Sequence, residues 1–193
     1  MEKIDFEQKF WGNCCNTYGE ETKQMVYAKR MGLTFTGDWR SDFNIDMRGA
    51  TVIDIGGGPV SLLLKAINVT GFVVDPLPQP EWVLKRYEAA RITFWNVKGE
   101  ELKNEFWQAF KFDEAWIYNV LQHVDDPKQI LNNARALAKT IRLFEWINIP
   151  PHEGHPHMLT EQFLTENLGP GNIELLNGNG CHGMSFFGAW KFS

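Results

Sequence analysis

TVIDIGGGPVSLLL, residues 51–64, is the stretch that decides the fold. It begins with a β-branched apolar run of the kind that forms a buried strand in a parallel sheet. Gly56, Gly57 and Gly58 follow, and glycines let the backbone turn sharply there and lie against a ligand. Pro59 suits the first turn of a helix, because its missing N–H needs no partner in that position. The stretch therefore predicts a strand, a nucleoside-binding glycine turn and a helix.

A second apolar run, residues 71–74, ends at Asp75. Acidic residues at about this distance beyond a glycine turn commonly accept hydrogen bonds from ribose hydroxyls. Such turns serve both dinucleotides and S-adenosylmethionine, so both ligands stay open at this point. The dinucleotide pattern needs a third glycine or alanine where this chain has Ser61, to bring the helix close to its strand beneath a pyrophosphate. The serine therefore favours a ligand without a pyrophosphate.

Five spaced segments together resemble the class I S-adenosylmethionine-dependent methyltransferases, particularly those that act on small molecules or sugars. They are VIDIGGGP (52–59), VVDP (73–76), ITFWNVKGEEL (92–102), FDEAWIYNVLQHVDDP (112–127) and GHPHMLTEQFLTENLG (154–169). Their order is more specific than any lone glycine motif. The resemblance implies a doubly wound, Rossmann-like α/β fold, with a seven-stranded, mostly parallel sheet, helices on both faces and an N-terminal helical cap.

The resemblance also implies S-adenosylmethionine as the cofactor, with S-adenosylhomocysteine as its product. In this family, glycines lie beneath the methionine and ribose, an acidic residue holds the ribose hydroxyls, and later turns contact the adenine and the methionine end. N-terminal helices often close over the cofactor, which adds an aromatic residue of the cap. The cofactor-binding candidates are Trp11, Asp54, Gly56, Gly57, Gly58, Asp75, Pro76, Gly99, Glu100, Asn119, Val120 and Leu121.

Five residues are candidates for the acceptor side of the site. In the resembled family His123 would face the reaction centre. His152, His155 and His157 follow the predicted fifth strand, at the sheet edge where open α/β folds bind ligands. Glu145 lies within that strand, where a carboxylate is unfavourable unless it is paired or faces a ligand. If the acceptor is a hydroxyl, we expect one of these histidines to accept its proton.

Structural alternatives stay open for each of these residues. His123 fits equally well as a satisfied, partly buried imidazole at the strand exit. The three later histidines could instead bind zinc, iron or nickel together with Glu153, although their irregular loop favours contact with substrate and we predict no metal. Glu145 could be the buried partner of Arg142 or of a backbone amide.

Composition and charge limit the class of protein. The chain has 193 residues, of which 44% are hydrophobic, enough for one full core and too few for a second large domain. We predict a helical cap at residues 1–48, within the same domain as a cofactor-binding core at 49–193. The net charge of −5 gives no broad attraction for nucleic acid. Apolar runs fall short of the roughly 20 residues that span a bilayer, and no signal peptide is recognisable, so we expect a cytoplasmic protein.

Local signals predict several further elements. Thr17 and Glu20 form a capping box for a helix that runs towards Met31, and Gly32 suits its end. Asp126 and Pro127 begin another helix, residues 141–149 form the fifth strand, and residues 173–176 and 184–192 form a terminal pair of strands. Further candidates for contacts in the cap are Asn13, Tyr18 and Gln24.

The sequence thus predicts a methyltransferase that transfers a methyl group to an O or N atom of a small molecule or sugar by in-line displacement, acting as a monomer or homodimer. Two alternatives remain: a nicotinamide-dependent oxidoreductase and a non-catalytic module that binds an adenosyl ligand. Membrane and nucleic-acid partners are not expected.

Overall fold

The computed structural model describes residues 3–15, 17–37, 42–103 and 105–192. Within these residues the strands are β1 (Phe35–Thr36), β2 (Asn44–Ile55), β3 (Ala66–Val74), β4 (Ile92–Trp95), β5 (Phe112–Tyr118), β6 (Ala138–Trp146), β7 (Asn172–Gly178) and β8 (Cys181–Lys191). The helices are α1 (Lys3–Trp11), α2 (Tyr18–Arg30), α3 (Glu81–Ala89), α4 (Glu105–Gln108), α5 (Pro127–Leu137) and α6 (Glu161–Leu168).

All the described strands form one sheet, in the order β4-β3-β2-β5-β6-β8-β7, with the short β1 paired to β2. Strands β2 to β6 are parallel to one another, whereas β1 is antiparallel to β2 and β8 is antiparallel to both β6 and β7. The order reverses between β2 and β5, and open α/β sheets bind ligands beyond the carboxyl ends of the strands at such a point. The predicted α/β fold and the terminal pair of strands are confirmed.

Helices cover both faces of the sheet, and each face has its own hydrophobic cluster. One cluster joins the sheet to α5 and α6, and it takes Ile130, Leu131, Ala134 and Leu137 from one face of α5. The other joins the sheet to α2 and α3. The predicted cap of α5 is present, because the Asp126 side chain accepts a hydrogen bond from the backbone N–H of Gln129 at 2.9 Å. No helix in the described part of the chain is both long and apolar enough to cross a membrane.

The prediction of a helix after the glycine turn is wrong. The chain instead forms two short 3₁₀ turns, Gly58–Val60 and Leu62–Lys65, and enters β3 at Ala66, five residues earlier than the strand predicted at 71–74. Two buried tyrosines hold these turns. The backbone N–H of Ser61 donates to the Tyr87 hydroxyl at 3.1 Å, and that of Leu62 donates to the Tyr118 hydroxyl at 2.8 Å. Side chains distant in sequence therefore satisfy both of these backbone N–H groups.

One cap and two boundaries also differ from the sequence-based expectation. Helix α2 begins after Thr17 as predicted, but the Thr17 side chain makes no capping bond to the helix backbone, and its hydroxyl donates to the Glu21 carboxylate at 3.4 Å. Strand β6 ends at Trp146 rather than at residue 149. Strand β2 begins at Asn44 and crosses the proposed division at 48/49, which stays a prediction. Residues 38–41 of the predicted cap lie outside the described residues.

Candidate functional site

A cavity of about 920 Å³ opens at the carboxyl ends of β2, β3 and β5, beneath α1 and α2. Its volume lies within the range of small-molecule sites. The predicted residues that line it are Trp11, Gly56, Gly57, Gly58, Asp75, Pro76, Gly99, Glu100, Asn119, Val120, His123, His152 and His155. Four of the cofactor-binding and acceptor-side candidates lie outside its wall: Asp54, Leu121, Glu145 and His157.

The glycine turn lines the cavity, and two of its three glycines leave no room for a side chain. Gly56 has φ +79°, and a Cβ there would lie 2.6 Å from Val120. At Gly57 a Cβ would lie 2.7 Å from the Asp54 carboxylate. At Gly58, φ is +55° and a Cβ would point between Trp11 and Asp75, 3.8 and 3.9 Å away. The glycines therefore let the turn fold tightly and keep the space beside Asp75 open.

Asp75 presents a buried carboxylate at the end of β3. Its Oδ2 accepts a hydrogen bond from the Gly58 N–H and its Oδ1 accepts one from the Leu77 N–H, both at 2.9 Å. Burial, partly offset by these bonds, raises the pKa of Asp75 to about 6. Each carboxylate oxygen can accept a second hydrogen bond. Asp75 can therefore accept hydrogen bonds from two hydroxyls of one ligand while the glycine turn holds it in place.

Asp54 lies behind the turn. Its Oδ2 accepts hydrogen bonds from the Ser61 hydroxyl and, at 2.5 Å, from the Tyr118 hydroxyl. The side chain is fully buried, which raises the pKa of Asp54 to about 7. The expectation of direct contact with a cofactor is therefore not met by this geometry, because Asp54 binds the segment that follows the glycines.

Glu145 also stabilises part of the site, namely the turn that follows β5. Its Oε1 accepts hydrogen bonds from the N–H groups of Val120 and Leu121, at 2.9 and 3.0 Å. The side chain is fully buried, and burial raises the pKa of Glu145 to about 7. Arg142, one partner considered for it, pairs instead with Glu114 at 2.8 Å. Glu145, which the sequence suggested as a reacting carboxylate, thus binds backbone N–H groups and holds the turn that faces the cavity.

Asn119 begins this turn in the left-handed region, with φ +58°. Asparagine tolerates that conformation better than most side chains. Its N–H donates to the Phe144 carbonyl at 2.9 Å, so the turn is tied to β6 by Phe144 as well as by Glu145. Non-glycine residues held in this region are frequent at ligand sites.

A second turn, after β4, forms another wall of the cavity. A Cβ at Gly99 would lie 2.9 Å from Ile130, so the chain passes close to α5 there. Glu100 Oε1 accepts hydrogen bonds from the N–H groups of Asp125 and Asp126, at 2.9 and 3.1 Å. Lys98 forms a 2.9 Å ion pair with Asp125. These contacts join the turn after β4 to the segment after β5.

Three of the predicted histidines meet at the opposite end of the cavity. The ring of His155 lies 4.4 Å from that of His123 and 4.2 Å from that of His152, measured between centroids. Burial and the neighbouring His123 lower the pKa of His155 to about 4. His157 lies apart from these three rings, and its Nε2 is 2.9 Å from the Val124 carbonyl oxygen. Within the described ranges, no group of three or more potential ligand side chains is arranged to hold a metal ion.

The three further candidates of the N-terminal region also differ in whether they reach the cavity. Gln24 lines the cavity and donates its side-chain amide to the Val60 carbonyl, which ties α2 to the glycine segment. Tyr18 is 58% exposed and lies outside the cavity wall. The Asn13 side chain accepts a hydrogen bond from the Cys15 N–H at 3.1 Å, within its own turn. Of these three side chains, only Gln24 reaches the cavity.

Sequence reasoning missed several cavity residues, among them Phe6 and Glu7 of α1, Lys23 and Tyr27 of α2, Trp146 of β6, Gly180 of the β7–β8 turn and His182 at the start of β8. An Asn-Gly repeat at residues 177–180 signals a tight hairpin turn, and could have placed the last two near the sheet edge. The residues of α1 carry no comparable signal, since their pattern is that of an ordinary amphipathic helix.

No protein-family model and no curated protein sequence matches the chain. Solved structures do match. The Burkholderia thailandensis 1,6-didemethyltoxoflavin-N1-methyltransferase, bound to 1,6-didemethyltoxoflavin and S-adenosylhomocysteine, aligns over 99% of this chain and 87% of its own, with a TM-score of 0.63 and 19% identity. The magnesium protoporphyrin IX methyltransferase of Synechocystis PCC 6803, with bound S-adenosylmethionine, aligns over 100% and 98%, with a TM-score of 0.58 and 13% identity.

The chain has the fold of the class I S-adenosylmethionine-dependent methyltransferases. This class I fold also occurs in the [4+2]-cyclase SpnF, which aligns over 76% of this chain and 55% of its own, with a TM-score of 0.54 and 14% identity. One fold can host different reactions, so the activity has to be argued from the site.

Proposed function

We propose that this protein is an S-adenosylmethionine-dependent methyltransferase that acts on an O or N atom of a small molecule. The observation that carries the proposal is Asp75, whose buried carboxylate faces the cavity beside three glycines. Two of the neighbours described above, the 1,6-didemethyltoxoflavin-N1-methyltransferase and the magnesium protoporphyrin IX methyltransferase, have an adenosyl ligand bound. They support the cofactor class and a small-molecule acceptor, and they leave the particular acceptor open.

The described residues fit this cofactor. Asp75 would accept hydrogen bonds from the two ribose hydroxyls, and Gly58 and Trp11 line the same cavity beside it. The turn at Asn119 and Val120 would contact the methionine end, and Gly99 and its neighbours would lie beside the adenine. When bound, S-adenosylmethionine supplies a methyl group on a positively charged sulfur. The protein's own contribution is then to orient the acceptor, which can account for about 7–11 kcal/mol of a barrier.

The geometry argues against the nicotinamide alternative. A dinucleotide domain places its pyrophosphate at the N-terminus of the helix that follows the glycine turn. Here that helix is replaced by the 3₁₀ turns Gly58–Val60 and Leu62–Lys65, and Ser61 contacts the Asp54 carboxylate. The antiparallel β8 also departs from the parallel order of such domains.

Calorimetric titration of the purified protein with S-adenosylmethionine, S-adenosylhomocysteine and NAD tests this proposal. We expect micromolar binding of the adenosyl ligands and no heat from NAD. Asp75→Asn keeps the volume of the side chain and removes its charge. Since a hydrogen bond to a charged group contributes about 1.5–3 kcal/mol, we expect this variant to lose roughly 10- to 100-fold in affinity.

The control for this variant is Asp113→Asn, which removes a carboxylate at the opposite end of β5, where Asp113 pairs with Lys139. This variant should bind as the wild type does. Binding of NAD in preference to either adenosyl ligand, or equal affinity in Asp75→Asn, would reject the proposed site.

A further inference from the structure

Glu7 of α1 and His123 form a close pair at the acceptor end of the cavity. His123 Nδ1 lies 2.9 Å from Glu7 Oε1 and 2.8 Å from the Gly154 carbonyl oxygen. Both side chains are about four-fifths buried, and both residues line the cavity. Two acceptors therefore face one ring nitrogen, which places a proton on Nδ1.

The other ring nitrogen, Nε2, carries a lone pair instead of a proton. His123 Nε2 lies 3.5 Å from the side-chain nitrogen of Gln122, whose amide also donates to Asn119 Oδ1 at 2.9 Å. The amide nitrogen can only donate, so a hydrogen bond at this contact uses the lone pair of Nε2. At 3.5 Å it is at the limit of a hydrogen bond and leaves that lone pair available. The contacts thus select the neutral tautomer that can accept a proton at Nε2.

Helix α1 is packed in a way that fixes this pair. A Cβ at Gly154 would lie 2.3 Å from the Phe6 ring, so Phe6 is seated directly on the turn that supplies the Gly154 carbonyl. That turn is closed by two backbone hydrogen bonds between His152 and His155, at 2.9 and 3.0 Å. Glu7, the next residue of α1, is thereby held against His123.

Charges from every neighbouring element act on His123. Burial disfavours the charged ring, but the hydrogen bond and charge of Glu7, with the charge of Glu145, raise the pKa of His123 above its ordinary value. The carboxylate of Asp75, directly after β3, also interacts electrostatically with it. His155 packs edge-on against the ring and is itself held neutral at pH 7, since burial lowers its pKa to about 4.

We propose that Glu7 is the orienting carboxylate of a Glu7–His123 pair, and that the acceptor is a proton-bearing nucleophile, a hydroxyl or a ring N–H. This inference rests on the proposed methyltransferase function. The acceptor gives its proton to His123 Nε2 and uses the electron pair so freed to bond the methyl carbon, while the pair of the broken bond stays on sulfur. His123 then returns the proton to water. Glu7 is a positioning residue here, because it acts through His123.

The first test follows His123 by NMR and needs no acceptor. The imidazole resonances of His123, assigned by comparison with His123→Asn, are titrated with pH in the wild type, in Glu7→Gln and in the control Glu88→Gln, which removes an exposed carboxylate of α3. Glu7→Gln keeps a hydrogen-bond acceptor and loses the charge. We expect the His123 pKa to fall by at least half a unit in Glu7→Gln and to stay unchanged in the control. An unchanged pKa in Glu7→Gln overturns the pair.

The second test measures methyl transfer to a panel of phenols and N–H heterocycles. We expect Glu7→Gln to lower kcat about 10- to 100-fold at pH 7 and to move the acidic limb of the kcat/KM profile to lower pH, with the affinity for S-adenosylhomocysteine unchanged. An unshifted limb in this variant overturns the positioning role alone. If the wild type binds no adenosyl ligand, the methyltransferase proposal fails, whereas the Glu7–His123 coupling seen by NMR would still stand.

Discussion

Glu145→Gln tests whether the buried carboxylate of β6 supports the site from behind instead of reacting in it. The glutamine oxygen can still accept hydrogen bonds from the N–H groups of Val120 and Leu121, so the anchor of the turn is kept. The substitution removes the ionisable carboxyl group, so this side chain no longer binds or releases a proton as the pH changes. Burial raises the pKa of Glu145 from 4.5 to about 7, so the folded protein binds this proton more tightly than the unfolded chain does.

The direction in which stability changes with pH follows from this difference in pKa between the folded and the unfolded protein. Below pH 4.5 the side chain is protonated in both states, and its stabilising proton is fully present. As the pH rises through 7 the folded protein has to release that proton, and stability is lost. At 1.36 kcal/mol for each unit of pKa shift, the loss amounts to about 3 kcal/mol. Asp54 and Asp75 titrate in both proteins, so their contributions cancel in the comparison.

The assay is urea denaturation of the wild type and of Glu145→Gln at pH 5, 6, 7 and 8. We expect the wild type to lose about 2.5 kcal/mol more than the variant over this range, and the exposed control Glu88→Gln to follow the wild type. A difference that stays constant to within about 1 kcal/mol, beyond the error of extrapolation, would refute the assignment of a raised pKa. A loss of methyl transfer of 100-fold or more in the folded variant would restore Glu145 as a reacting group.

Two further substitutions test the glycine segment. Tyr118→Phe removes the hydroxyl that bonds Leu62 and Asp54, and we expect it to lower the free energy of unfolding by about 1–3 kcal/mol in urea denaturation; an unchanged value would mean that water replaces the hydroxyl. Gly57→Ala puts a Cβ 2.7 Å from the Asp54 carboxylate, and we expect a loss of about 1–3 kcal/mol together with weaker binding of S-adenosylhomocysteine. Gly19→Ala, in α2 with nothing within 4 Å of the added Cβ, is its control and should stabilise the protein by about 0.5–1 kcal/mol; equal effects of the two substitutions would contradict this reasoning.

The fold could be predicted because its signals are local. Apolar strands alternate with amphipathic helices, and the terminal strand pair carries its own pattern, so the order of elements is written along the chain. The glycine turn and Asp75 were predictable for the same reason, since both follow strands of a parallel sheet and so reach one edge of it.

The segment after the glycines was mispredicted because distant contacts decide it. Pro59 fits the start of a helix or of a 3₁₀ turn equally well. What selects the 3₁₀ turns is the pair of hydroxyls from Tyr87 and Tyr118, which accept the hydrogen bonds of Ser61 and Leu62. No local propensity encodes such bonds.

Roles within the site were harder to predict than its place. The sequence showed that Glu145 needs a partner, but the two backbone amides that donate to its Oε1 belong to another strand exit. Glu7 was missed because it lies far from His123 in the chain, and a glutamate on an amphipathic helix is ordinarily a solvated charge. Only the packing of Phe6 on Gly154 brings it to the cavity.

The central claim is that this cavity binds an adenosyl cofactor through Asp75. A crystal structure of the protein with S-adenosylhomocysteine tests it most directly. We predict that both ribose hydroxyls lie within hydrogen-bonding distance of the Asp75 carboxylate and that the sulfur faces His123. A ligand bound elsewhere, or one in this cavity whose ribose is remote from Asp75, would contradict the account.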